Sequence, residues 1–206
     1  MRRPGRRVMA VCAVLSMLGI SRPARAQQGE PTQAGDVVVI RGLMGYWPGC
    51  ERLTTQLRAH GYRPWVYRTA VPLILANQIA ARRAHGSMSG SLCIVGYSMG
   101  ADQAIATAKH LEHMGVRVDR LVLFEPTLPG KIPSNVGYCF NLYESRPLTD
   151  WLPVFRGIRV APVNAATPVV NYDVASESET LARENHFTIA TQEQAQRLAI
   201  GEILRR

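Results

Sequence analysis

From Val37 onward the chain alternates short runs of β-branched and aromatic residues with longer runs whose apolar residues return every three or four positions. Few folds tolerate that alternation. A strand, a crossover helix and a further strand build a parallel sheet whose faces the helices must cover, so the pattern predicts an α/β domain. Strands are read at 37–41, 63–69, 91–97, 120–125, 137–143 and 168–174, and the continuously apolar ones suit burial on both faces. Helices are read at 50–60, 72–84, 99–114 and 192–204. Gly61, Gly86 and Gly115 follow the first three, where a glycine commonly ends a helix. The expected architecture is a three-layer sandwich with a mostly parallel central sheet of about six strands.

At 206 residues the chain suits a single domain. Its first 26 residues stand apart: Arg2, Arg3, Arg6 and Arg7 precede an apolar run over 8–20 that ends near Ala24 and Ala26. This reads as a secretory signal peptide cleaved after Ala26, because the run is shorter than the ~20 apolar residues of a membrane-spanning helix. Export to the periplasm or the medium is expected, by the general or the twin-arginine route. Residues 27–35 read as a flexible lead-in and 36–206 as one domain. Cleavage removes six of the 24 basic residues and none of the 15 acidic ones, so the formal charge falls from +9 to +3. With no basic stripe interleaved with aromatics, the mature chain does not read as a nucleic-acid binder.

Cys50, Cys93 and Cys139 survive cleavage, an odd number that allows at most one internal disulfide. Cys93 lies inside an apolar strand, so Cys50 with Cys139 is the pair to suspect. No CxxC motif or Cys/His cluster points to zinc.

The run SLCIVGYSMGADQ carries the chemistry. Gly96-Tyr97-Ser98-Met99-Gly100 is a GxSxG sequence placed where a buried strand meets a helix, and position makes it informative. Such a turn is tight enough to force its central residue into a strained backbone, while the glycines keep strand and helix from colliding. The serine hydroxyl is left at the carboxyl edge of the sheet and at a helix N-terminus, which favours a developing oxyanion.

A serine hydroxyl is a weak nucleophile and needs a base oriented by an acid. His60 and His85 end helices, and His110 with His113 lies far from the start of the serine's helix. His186, in ENHFTIA, follows the last strand and precedes the final helix, where the base of a Ser, acid, His chain order belongs. Glu125, in VLFEPT, emerges on the same sheet edge as Ser98 and is the first choice of acid; Asp173, in NYDV, is the alternative. Glu144 and Asp150 are lesser carboxylates, Asp150 reading as a solvated loop residue. For the oxyanion, the N–H after the nucleophile, Met99, is one donor. The glycine-bearing loop RGLMGYWPG supplies the other, from Leu43 or alternatively Met44.

These pieces, VIRGLMG, IVGYSMGAD, LFEPT and NYDV with ENHFTI, resemble the α/β-hydrolase superfamily, and within it small secreted bacterial thioesterase-domain or lipase-like proteins. The resemblance implies a trimmed α/β-hydrolase fold and a Ser-acid-His triad. It also implies ester or thioester hydrolysis through an acyl-enzyme, a small-molecule or lipid-like acyl substrate, and no cofactor. Two departures accompany it: Arg41 stands where histidine is usual before the oxyanion loop, and the acid is glutamate where aspartate is commoner. A non-catalytic ligand-binding protein and an acyltransferase are the alternative functions. Trp151, Leu152, Val154 and Phe155 offer either an apolar rim to the site or cover for the sheet edge.

Overall fold

The computed structural model describes residues 33–145 and 157–205; the region read as a signal peptide lies outside them. Strands β1 (Gly35–Ile40), β2 (Tyr62–Tyr67), β3 (Ser91–Tyr97), β4 (Arg120–Phe124), β6 (Cys139–Tyr143) and β8 (Val169–Asp173) form one sheet. All its pairings are parallel, in the order β2-β1-β3-β4-β6-β8. Helices α1 (Cys50–Ala59), α2 (Pro72–Ala84), α3 (Met99–His113), α4 (Val174–Glu177) and α5 (Glu193–Leu204) complete the main elements. The two-residue strands β5 (Lys131–Ile132) and β7 (Ala161–Pro162) pair with each other, apart from the main sheet. They are too short to leave a periodic signal in the sequence.

The path from β1 to β2 runs toward one edge of the sheet and the paths from β2 onward run toward the other. Right-handed crossovers then place helices on opposite faces. Alternate residues of each strand accordingly enter different layers. Val37, Val39, Val95 and Phe124 pack with Leu53 and Leu57 of α1 and with Ala199 and Ile203 of α5. Val38, Ile40, Ile94 and Leu123 pack with Leu75 and Ile79 of α2 and with Ala104 and Ala108 of α3. The reversal of direction lies between β1 and β3, and at such a switch the carboxyl ends of two strands open a crevice.

β1 starts at Gly35, inside the stretch read as a lead-in. There the backbone lies so close to β3 that a Cβ would fall 2.2 Å from Ser91 Oγ. The Cys50–Cys139 pairing is overturned, for all three described cysteines are free and buried. Cys50 belongs to the α1/α5 layer and Cys139 to the α2/α3 layer, so the sheet itself separates them.

Candidate active site

β3 ends against α3 with no loop between them, and the residue at the junction is Ser98. Its backbone sits at φ 56° and ψ −128°, a strained region for a non-glycine residue. The flanking glycines are required by contact: a Cβ on Gly96 would fall 2.3 Å from Gly100 O, and one on Gly100 2.3 Å from Ile40 O. Met44 (φ 53°) and Glu125 (φ 56°) are the other non-glycine residues with positive φ among those described. All three strained positions surround one cleft or directly support it.

Ser98 Oγ lies 2.9 Å from His186 Nε2, and His186 Nδ1 lies 3.1 Å from Glu125 Oε2. The three come from the ends of β3 and β4 and from the loop before α5. Glu125 is fully buried. Its other oxygen accepts the Glu144 N–H at 2.6 Å, and Gly157 covers it so closely that a Cβ there would fall 2.6 Å from Oε2. Burial raises the Glu125 carboxyl above its ordinary value, while the bond from His186 and the Glu144 N–H pull it back down.

Asp173 does not reach the imidazole. Its carboxylate accepts from Ser145 N at 3.2 Å, from Ser145 Oγ, and from Ala175 N at 3.1 Å, where it caps α4. His60 and His85 follow the ends of α1 and α2, and His110 and His113 lie in the last turn of α3. Asp150 and the rim read from Trp151, Leu152, Val154 and Phe155 lie outside the described residues.

Leu43, Met44 and Gly45 form a single 3₁₀ turn after β1. Gly45 N–H bonds Gly42 O and Tyr46 N–H bonds Leu43 O, whereas the N–H groups of Leu43, Met44 and Met99 make no backbone bond among the described residues. A cleft of about 560 Å³ is lined by Leu43, Met44, Tyr46, Ser98, Met99, Thr127, His186 and Phe187, with Tyr97 behind. Ser98, although only 8% exposed, is among the residues that line this cleft.

The supporting contacts carried no recognisable sequence signal. Tyr97 Oη donates to His186 O at 2.7 Å, and burial raises its phenol so that it keeps the proton it donates. Trp47 Nε1 donates to Ala190 O at 3.0 Å. Asp102, in the first turn of α3, accepts from Thr127 N at 3.0 Å, Thr127 Oγ1 at 2.6 Å and Leu128 N at 3.1 Å, holding the wall after Glu125. Burial raises the Asp102 carboxyl, and those three bonds and the attraction of His186 offset part of the rise. Arg41, in the place of the usual histidine, keeps its backbone N–H on Tyr67 O at 2.9 Å, so the turn after it is set by main chain. Among the described residues no three His, Cys, Asp or Glu side chains converge to hold a metal ion, and no helix is long and apolar enough to cross a membrane.

No protein-family model and no curated protein sequence matches the chain. Solved structures do resemble it. Lipase B of Aspergillus fumigatus superposes with a TM-score of 0.56 at 10% identity, over 82% of this chain and 52% of the lipase. The chain therefore spans about half the length of that enzyme. The thioesterase domain SrfTE, which cyclises the lipopeptide antibiotic surfactin, superposes with a TM-score of 0.50 at 14% identity, over 84% of this chain and 93% of the domain. These likenesses establish an α/β-hydrolase fold.

Proposed function

We propose that this chain is a serine hydrolase that cleaves an ester or thioester through an acyl-enzyme, with Ser98 as nucleophile, His186 as base and Glu125 as acid. The observation that carries the reading is the unbroken line from the strained Ser98 hydroxyl through both imidazole nitrogens to a buried carboxylate, at 2.9 and 3.1 Å. Its setting supports it: Ser98 lines an apolar cleft on a fold that lipases and thioesterases also use.

In this mechanism His186 Nε2 takes the Ser98 proton as Oγ bonds to the acyl carbon, and the carbonyl electron pair moves onto oxygen. The unspent N–H groups of Met99 and Leu43 receive that oxyanion, with Met44 N–H beside them. As the carbonyl re-forms, the bond to the leaving alcohol or thiol breaks and His186 returns the proton to it. Water then repeats the sequence and frees the acid. Glu125 holds the tautomer that keeps hydrogen on Nδ1, and it stabilises the imidazolium.

A fluorophosphonate probe tests the assignment together with p-nitrophenyl acetate turnover. Labelling confined to Ser98, abolished along with turnover in Ser98→Ala, is the expected result. An unlabelled, inactive protein would mark a ligand-binding module instead, and ester products formed with an added alcohol would mark acyl transfer. The arginine-led apolar run supports export as part of the same proposal, which N-terminal sequencing of the mature protein checks by a start at Gln27.

A further inference from the structure

Beside the cleft, past Met99 and Thr127, lies a depression of about 390 Å³ that shares those two residues with it and adds Pro72, Asp102, Gln103, Ala106 and Leu128. That depression in turn shares Asp102, Ala106 and Leu128 with another of about 510 Å³ reaching Lys109 and Lys131. On α3, Met99, Gln103, Ala106 and Lys109 recur at helical spacing, so one stripe of the helix forms the floor along its length. The opposite wall is the segment that Asp102 fastens through Thr127 and Leu128.

We infer that this groove along α3 holds the acyl arm of the substrate and selects a linear apolar chain of medium length. The inference rests on the hydrolase reading and deepens it. The side is fixed by the chemistry: His186 must protonate the leaving group, so that group sits beside the imidazole and Phe187. Neither residue lines the groove beyond the cleft. What remains for the groove is the acyl chain on the other side of Ser98.

Its length follows from the helix. From Met99 to Lys109 the axis advances about 15 Å at about 1.5 Å per residue. At roughly 1.3 Å of reach per carbon–carbon bond, that accommodates a chain of about 12 carbons. Past that point the lining gives way to the ammonium groups of Lys109 and Lys131 and the Glu112 carboxylate, which offer nothing to further methylenes. An open groove buries a methylene incompletely, so each should raise kcat/KM about twofold, roughly half the factor that full burial gives.

The test is kcat/KM for p-nitrophenyl esters from acetate to hexadecanoate, on the wild type and on Ala106→Trp, which fills the groove midway. The expected profile climbs about 10²-fold from acetate to decanoate and levels off near 12 carbons. Ala106→Trp should lower the decanoate-to-acetate ratio at least tenfold. Leu128→Asp, on the opposite wall, should lower the same ratio and serves as the second variant, with thermal melting showing that each is folded. A flat profile, or a ratio that both folded variants leave unchanged, overturns the groove while leaving the hydrolase reading intact. Absence of turnover with every ester overturns both together.

Discussion

The phenol of Tyr97 donates to the main-chain carbonyl of His186 at 2.7 Å, so the residue before the strained serine anchors the loop that brings in the imidazole. Ser98 and His186 are thereby tied by a second link besides their own hydrogen bond.

Removing that link should be felt in the chemistry more than in binding. Tyr97→Phe keeps the ring, which packs 5.6 Å from Trp47, and deletes only the donor. The expected cost is about 1 kcal/mol of stability and about a tenfold fall in kcat with little change in KM. Steady-state kinetics and a thermal melt on the same preparation check both; a change confined to stability would make the phenol structural only.

Backbone strain at Ser98 separates two inactive variants. Ser98→Ala should lower turnover roughly 10⁴- to 10⁶-fold. Ser98→Gly should be equally inactive, yet more stable than the alanine variant by roughly 1 kcal/mol, because glycine adopts positive φ without strain. Equal stability in chemical denaturation would remove the argument for strain at the turn.

Glu125 sets activity against stability. Its ordinary value is 4.5, and burial raises it in the folded chain. Between those two values the folded state binds more protons than the unfolded one, so stability falls as pH rises through the window and stays lower above it. Glu125→Gln abolishes that loss: its melting temperature should match or exceed the wild type at pH 8, and the difference should vanish below the unfolded value. Activity should move the other way, by about 10³- to 10⁴-fold, because an amide N–H facing Nδ1 favours the tautomer with hydrogen on Nε2. Melting curves across pH, with kcat at pH 8, test the pair of effects.

The thiols offer a chemical count. Cys50, Cys93 and Cys139 are free and buried, and burial pushes the Cys93 thiol up to about 12. The native protein should therefore ignore a thiol reagent at pH 8, and denaturation should release all three, with Cys12 adding a fourth where residues 1–26 remain. Release of a single thiol from the chain lacking residues 1–26 would mean that Cys50 and Cys139 are joined after all.

Much of this organisation is legible in the residues themselves. The limits of β3 and α2 agree with the periodicity to the residue, because glycines, a proline and unbroken apolar runs bound them. Glu125 directly follows β4, at the edge where Ser98 stands, whereas His186 lies in the long segment between α4 and α5 and only its order in the chain singles it out. Asp173 has an equally good address, and chain order cannot choose between the two. In the folded chain Glu125 Oε2 lies 3.1 Å from His186 Nδ1, whereas Ser145 and Ala175 take the Asp173 carboxylate. Cys50 and Cys139 fail for a related reason: a strand's alternation shows which residues share a face, while the face a given helix covers depends on the direction of its crossover.

Gln196 of α5 donates through Nε2 to Gly49 O at 3.0 Å and to Ala190 O at 2.9 Å, clasping the start of α1 to the segment behind the imidazole. A protease cutting just after Thr191 would leave serine, histidine and glutamate together on the larger fragment. It would also break the chain between Ala190 and the Gln196 side chain that holds it, leaving the brace attached by hydrogen bonds and packing alone.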